Sequence, residues 1–435
     1  MKILLTSSPI TGHVNPIIVA ARVLENAGHT VAIYTGHLFR EKIEAAGIQF
    51  FPLPADIDFD MRDIGATFPE WMELSGIPQL RYGIKAVFVD SIPSQFRGLR
   101  AVLREYPPDL IVYETGFCGI LPLLLGPPSL RPPCAYLGIS TSQLPREDGA
   151  PWGSGLPPAT SAGQAERYAA AAKDFQKELT TPVCEHADRT LYAMGAEPLP
   201  GPLFESMATL ADLILQPCVP GFEYPVRDED EDKLHFIGAM IPEGAGDTPA
   251  WVKEAKRAGK KVILVSQGTV ANDDLGKLLA PAIQAFGDRE DFLILVTTGG
   301  KPLEMIPCRL TRNTIASRFL NFREILPDVD LLVAFASYGT VTQALSFGVP
   351  MVVTGLGEDK PEVGTRVAWT GSGMYLRTDN PSVEEIREAA DQVLSGEKYR
   401  ARARALSEEF AAYDADRELP LALEALVDDK AMLAN

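Results

Sequence analysis

Two side chains in this sequence have the types needed to move a proton. His13 lies in Ser7-Ser8-Pro9-Ile10-Thr11-Gly12-His13-Val14-Asn15-Pro16, between the strand-like run Ile3–Thr6 and the helically spaced Ile17–Leu24. Glu114 follows a second apolar run, Leu110–Tyr113. A neutral imidazole can take a proton from a hydroxyl, and a carboxylate behind it fixes the tautomer and stabilises the imidazolium. The pair is therefore a candidate general base with its orienting carboxylate. The competing reading of His13 is a helix-capping or surface imidazole.

A second stretch, Asp330 to Val367, has the makings of an anion site. Leu331–Phe335 is a buried-strand run, Gly339 and Thr340 mark a turn, Val341–Phe347 is amphipathic, and Gly348-Val349-Pro350 leads into the strand Met351–Thr354. The backbone amides expected at the start of that helix, Ser337, Tyr338, Gly339 and Thr340, would converge on one spot that favours a phosphate. Gly357-Glu358-Asp359-Lys360-Pro361-Glu362 follows the second strand as a polar loop. It falls at the carboxyl edge of a sheet, where ligands of α/β proteins sit.

These residues need a scaffold, and the order of elements supplies one. Strand Ile3–Thr6, strand Thr30–Tyr34, helix Leu38–Ala46, strand Gln49–Leu53, helix Lys85–Glu105 and strand Asp109–Glu114 make a βαβ series. Parallel strands with right-handed crossovers gather their outgoing turns on one rim, so His13 and Glu114 are expected together. A second series starts with Val262–Ser266, which enters Gln267-Gly268-Thr269 as the first strand enters Gly12-His13. With 435 residues, two domains of about 200 each are expected.

Composition narrows the function. The 40 Lys and Arg against 58 Asp and Glu leave a net charge of -18, which argues against nucleic acid because a phosphate-backbone binder needs a basic face. The five cysteines, Cys118, Cys134, Cys184, Cys218 and Cys308, have no paired spacing, and no His-x-x-x-His occurs. Neither a metal site nor a disulfide framework is expected, and a reducing cytoplasm suits the chain. No leader precedes Lys2-Ile3-Leu4-Leu5 and no apolar run reaches membrane-spanning length, so stable membrane insertion is not expected. Ala55–Tyr82 lacks clear periodicity but carries Phe59, Phe68 and Trp71, and the Gly- and Pro-rich Ser140–Gln164 carries Trp152. Such long aromatic loops read either as the walls of a pocket for an apolar, ring-containing acceptor or as simple cover for the core.

The small turn, Thr-Val-Thr-Gln-Ala-Leu, Gly-Val-Pro and Gly-Glu-Asp-Lys-Pro-Glu, together with Gly-His after the first strand, resembles the nucleotide-sugar-dependent glycosyltransferases of the GT-B fold, family one, natural-product type. The resemblance implies two Rossmann-like domains facing across a cleft: residues 1–217 for the acceptor, a linker at 218–250, residues 251–410 for the donor, and a helical tail at 411–435 crossing back. It implies no cofactor beyond a UDP- or TDP-sugar co-substrate. By resemblance Gly268, Thr269, Phe319, Phe322, Phe335, Ser337, Tyr338, Gly339, Thr340, Gln343, Asp359 and Lys360 line the donor site.

The chain also departs from the family pattern. Phe335-Ala336-Ser337 stands where His-Gly-Gly is usual, Phe319-Leu320-Asn321-Phe322 replaces an aromatic-x-Pro-Gln segment, Gln343 replaces Glu, and Lys360 stands where Gln is common. A subgroup with Glu-Asp-Lys-Pro-Glu shares Lys360. Two functions remain compatible with these residues: an inverting, metal-independent hexosyltransferase, or a catalytically silent relative that binds a small molecule or partner.

Overall fold

The computed structural model describes residues 1–61, 64–242, 250–269 and 272–433. Seven strands form the first sheet: β1 (Lys2–Thr6), β2 (Thr30–Thr35), β3 (Gln49–Pro52), β4 (Leu110–Glu114), β5 (Cys134–Leu137), β6 (Leu213–Gln216) and β7 (Leu234–Phe236). Their order is β3-β2-β1-β4-β5-β6-β7 with every pairing parallel. Six more form the second sheet: β8 (Lys261–Ser266), β9 (Phe292–Thr297), β10 (Thr314–Ser317), β11 (Leu331–Phe335), β12 (Met351–Thr354) and β13 (Gly373–Leu376), in the parallel order β10-β9-β8-β11-β12-β13.

Both sheets are covered on both faces, which is why their strands are continuous apolar runs. In β1, Ile3 and Leu5 enter one core and Leu4 the other; in β8, Val262 and Leu264 face one way and Ile263 and Val265 the other. Each such side chain contributes about 1.5–3 kcal/mol. The winding reverses between β1 and β4 in the first sheet and between β8 and β11 in the second. At such a reversal the crossovers diverge and leave a crevice beyond the carboxyl ends of the strands. His13 follows β1, Glu114 ends β4, Gln267 follows β8 and Ser337 follows β11.

Several boundaries differ from expectation. The first helix spans Thr11–Asn26 with Pro16 inside it, so His13 lies in its first turn rather than in a preceding loop. So near the start, the proline forgoes only the bond to the carbonyl four residues back. The expected helix over residues 85–105 is divided into a wide π-helical turn, Ile84–Val89, and the helix Ile92–Glu105, which carries Pro93 in its first turn. Among the described residues of the stretch 55–83 are the short helices Ile64–Thr67, Pro69–Glu73 and Gly76–Gly83. The segment at 218–250, read as a linker, also supplies β7 to the first sheet, and its Glu243-Gly244-Ala245-Gly246-Asp247 stretch lies outside the described residues.

After the helix Glu397–Phe410, which buries Ala403, Leu406 and Phe410 in the second domain, the chain turns back. The helix Ala415–Leu433 then places Ala415, Leu419 and Leu423 in the core of the first domain beside Ile17 and Ala21. Lys430 Nζ reaches Asp212 Oδ1 at 2.7 Å. Leu423→Ala should destabilise the protein by about 2–5 kcal/mol, the range for emptying a buried leucine site. Urea unfolding followed by circular dichroism will measure it.

Candidate active site

His13 and Glu114, the candidate proton-transfer pair, stand together, with the carboxylate buried. Glu114 has no exposure to solvent; its Oε1 accepts the Ser8 N–H at 2.9 Å and its Oε2 accepts the Gly116 N–H at 2.5 Å. The same Oε2 lies 2.8 Å from His13 Nδ1. An ionised carboxylate only accepts, so His13 carries its proton on Nδ1 and leaves the Nε2 lone pair for the cleft. Gly116 makes that closeness possible: a Cβ there would stand 2.7 Å from His13 Cε1 and 2.9 Å from Nδ1.

Aromatic rings continue from the imidazole. Phe88, on the wide turn, stacks on His13 at 5.9 Å and 21°, Phe204 meets Phe88 edge-on at 5.7 Å, and Trp152 lies 6.0 Å from Phe204. The Trp152 indole donates to Thr141 Oγ1 at 3.1 Å, which satisfies its polar edge. Trp71 also lines this wall. Phe59 and Phe68 do not line it; they pack against each other at 5.3 Å. Phe88 and Phe204 were not singled out from sequence, and nothing in their spacing sets them apart from core residues.

On the opposite side, the helix Tyr338–Ser346 opens after β11. The Ser337 N–H is spent on the Phe335 carbonyl at 2.7 Å, so Tyr338, Gly339 and Thr340 supply the first-turn amides. Ser337 Oγ donates to Thr340 Oγ1 at 2.9 Å. The Tyr338 phenol points away and donates to Glu223 Oε1 at 2.9 Å, so only its backbone is placed for a ligand. Phe335 is buried in the second-domain core, and the ammonium of Lys360 lies 6.0 Å over its ring. Phe319 is 67% exposed at the mouth, with Phe322, Gln343, Gly268 and Thr269 along the same wall.

Lys360 is the first residue of the helix Lys360–Thr370, not part of a loop as expected; Pro361 in the first turn favours that start. Its Nζ pairs with Glu358 Oε2 at 2.5 Å. The charge of Lys360, against an opposing effect of burial, holds the Glu358 carboxyl below its usual range, and His13 adds to this from the other domain. Burial works to lower the Lys360 ammonium, but Glu358 and Asp359 outweigh it and keep it above the ordinary lysine value. Burial raises the Asp359 carboxyl despite Lys360 and the 2.6 Å bond from Ser140 Oγ.

These walls enclose one cavity of 1170 Å³, bounded by both domains and containing His13, Phe88, Trp152, Ser337, Gly339, Thr340 and Lys360. It has room for two molecules side by side, an anion at the helix start and an apolar partner over His13. Residues 293–426 match the Erythromycin biosynthesis protein CIII-like, C-terminal domain family. The chain is 35% identical over 435 residues to 4'-demethylrebeccamycin synthase of Lentzea aerocolonigenes, covering 98% of this chain and 99% of that one. It is 33% identical over 426 residues to UDP-glycosyltransferase 2 of Phaeomoniella chlamydospora, covering 95% and 93%. The chain belongs to the family-one glycosyltransferases. A solved calicheamicin glycosyltransferase shares the fold of this glycosyltransferase, with a TM-score of 0.72 at 20% identity over 98% of each chain. The protein is thus a GT-B enzyme that moves a sugar from a nucleotide sugar to a small-molecule acceptor.

In the glycosyltransferase the dyad depends on Gly116 leaving the imidazole undisturbed. Gly116→Ala should push the ring off Glu114 and lower turnover by roughly 100-fold, the cost of an ångström-scale misplacement. Initial rates, with circular dichroism to show retained fold, will test this.

Proposed function

We propose that this glycosyltransferase moves a hexose from a UDP- or TDP-sugar to a hydroxyl of an apolar, ring-containing acceptor, with inversion at the anomeric carbon and without a metal. The observation that carries the reading is His13, held through Nδ1 by a buried carboxylate beneath an aromatic wall. The acceptor hydroxyl gives its proton to His13 Nε2 while its oxygen bonds to the anomeric carbon from the face opposite the leaving group. The bond from that carbon to the diphosphate breaks, and its electron pair leaves with the diphosphate oxygen. Glu114 stabilises the imidazolium that forms.

The leaving charge has its own partners. The amides of Tyr338, Gly339 and Thr340 and the hydroxyls of Ser337, Thr340 and Thr269 face the cavity with Lys360, so backbone dipoles and one ammonium take the place of an imidazole at residue 335. The exposed Phe319 ring offers a stacking surface for the nucleobase, and Gln343 a polar group for the ribose. Intact pairing of His13 with Glu114, and a cation placed over Phe335, favour an active enzyme over a silent relative. A reducing cytoplasm suits five unpaired thiols. Among the described residues no helix is long and apolar enough to cross a membrane.

His13→Ala should lower turnover by about 10²- to 10⁴-fold while UDP affinity measured by calorimetry stays the same. Full activity in that variant, or a product with the donor's anomeric configuration by NMR, would overturn the assignment. Lys360→Met removes the cation and leaves Glu358 half-exposed and solvated. It should weaken UDP binding by about 1.5–3 kcal/mol, roughly 10- to 100-fold; unchanged affinity would show that the backbone amides suffice.

A further inference from the structure

The acceptor wall is held in place from the donor side. Gly155, three residues after Trp152, has its backbone fully engaged by the other domain. Its N–H donates to Glu362 Oε1 at 2.8 Å, and its carbonyl accepts from Thr365 Oγ1 at 2.9 Å and Arg377 Nη2 at 3.2 Å. The Gly153 N–H donates to the same Glu362 oxygen at 2.9 Å. Arg377 Nη2 also donates to Thr365 Oγ1 at 2.9 Å, which orients the hydroxyl. The approach is so close that only glycine fits: Gly155 has φ +60°, and a Cβ there would stand 2.8 Å from Pro361 Cβ.

Behind this contact lies a dehydrated charge chain. Glu362 Oε2 pairs with Arg366 Nη1 at 2.8 Å, and Arg366 Nε pairs with Glu223 Oε2 at 2.9 Å, all three side chains being buried. The Arg366 guanidinium carbon lies 3.8 Å from the centre of the Tyr224 ring. Burial works against the Arg366 charge, but Glu223 and Glu362 outweigh it and keep the guanidinium protonated. Two carboxylates against one guanidinium leave an excess negative charge, met by the amides of Gly153 and Gly155 and by the Tyr338 hydroxyl on Glu223. Apolar side chains would hold two domains together at less desolvation cost. A carboxylate facing two N–H groups instead fixes one register of the loop.

We propose that Glu362, Thr365 and Arg377 are positioning residues for the acceptor: by clamping Gly153 and Gly155 they set Trp152 against Phe204, so the apolar wall is complete only when the donor domain is docked. The inference rests on the reading of the cavity as the transfer site. Acceptor affinity is then controlled from the helix that begins at Lys360, braced by Arg377 just after β13, although none of the three side chains lines the cavity.

The test uses the full chain with two probes: UDP, followed by calorimetry, and 2-naphthol, an uncharged ring hydroxyl compound, followed by fluorescence titration. Gly155→Ala displaces the loop without touching a charge, and Thr365→Val removes one hydroxyl at nearly constant shape. Each should weaken 2-naphthol binding by roughly 3- to 10-fold, the equivalent of one lost hydrogen bond, and leave UDP affinity unchanged. Thr365→Ser, which restores the hydroxyl, should recover most of the loss. Amide exchange over residues 151–156 should quicken in both weakened variants while exchange over 84–89 does not. Unchanged 2-naphthol affinity in both variants, or an equal loss for UDP, overturns the proposal. So does failure of the parent to bind 2-naphthol, because the cavity would then not be an acceptor site. If UDP fails to bind while 2-naphthol behaves as expected, the donor assignment falls and the clamp stands.

Discussion

A carboxylate sealed from water must find its partners within the protein, and at Glu114 that requirement ties two strand ends together. Two amides and an imidazole satisfy it, one from the turn after β1, one from the turn after β4, and one from the first turn of the helix between β1 and β2. The winding reversal of the sheet brings those turns side by side, and the carboxylate converts that proximity into a fixed tautomer. Chemistry and topology meet at one side chain. A solvent-facing acid in its place would give a weaker and mobile partner.

The second domain solves a different problem with the same topology. Its winding reversal presents a helix start, but the strand end carries Phe335, which the core claims. The cation comes instead from Lys360, lying over that ring and held by Glu358. A lysine is a point charge with three rotatable donors, where an imidazole offers one fixed direction. In the reading we propose, charge reaches the leaving group here with less directional control, and the backbone amides of Tyr338, Gly339 and Thr340 carry the geometry.

Much of this was legible in the sequence because buried parallel strands are nearly pure apolar runs: Leu331–Phe335 and Leu110–Tyr113 could be read directly. His13 and Glu114 followed from their positions after such runs. Element boundaries near proline were not legible, since Pro16 and Pro93 signal a helix start without saying how many residues precede it. Phe88 and Phe204 have no spacing that separates a pocket wall from a core, whereas Phe59 and Phe68, in a conspicuous loop, proved to pair with each other. Glu362 and Arg366 were hardest. In sequence they are ordinary charges at helical spacing, and Arg366 is buried by a carboxylate 143 residues away.

The returning helix has a consequence for how the chain is made. Ala415, Leu419 and Leu423 belong to the core of the first domain, yet in the chain they follow the whole of the second. About 180 residues separate β7 from that helix, roughly ten to forty seconds of synthesis at ordinary rates. Throughout that interval the nascent first domain presents an uncovered apolar groove over Ile17 and Ala21. Vectorial synthesis thus leaves the core of the first domain incomplete until the returning helix emerges, and a chain cut anywhere between β7 and that helix would lack part of that core.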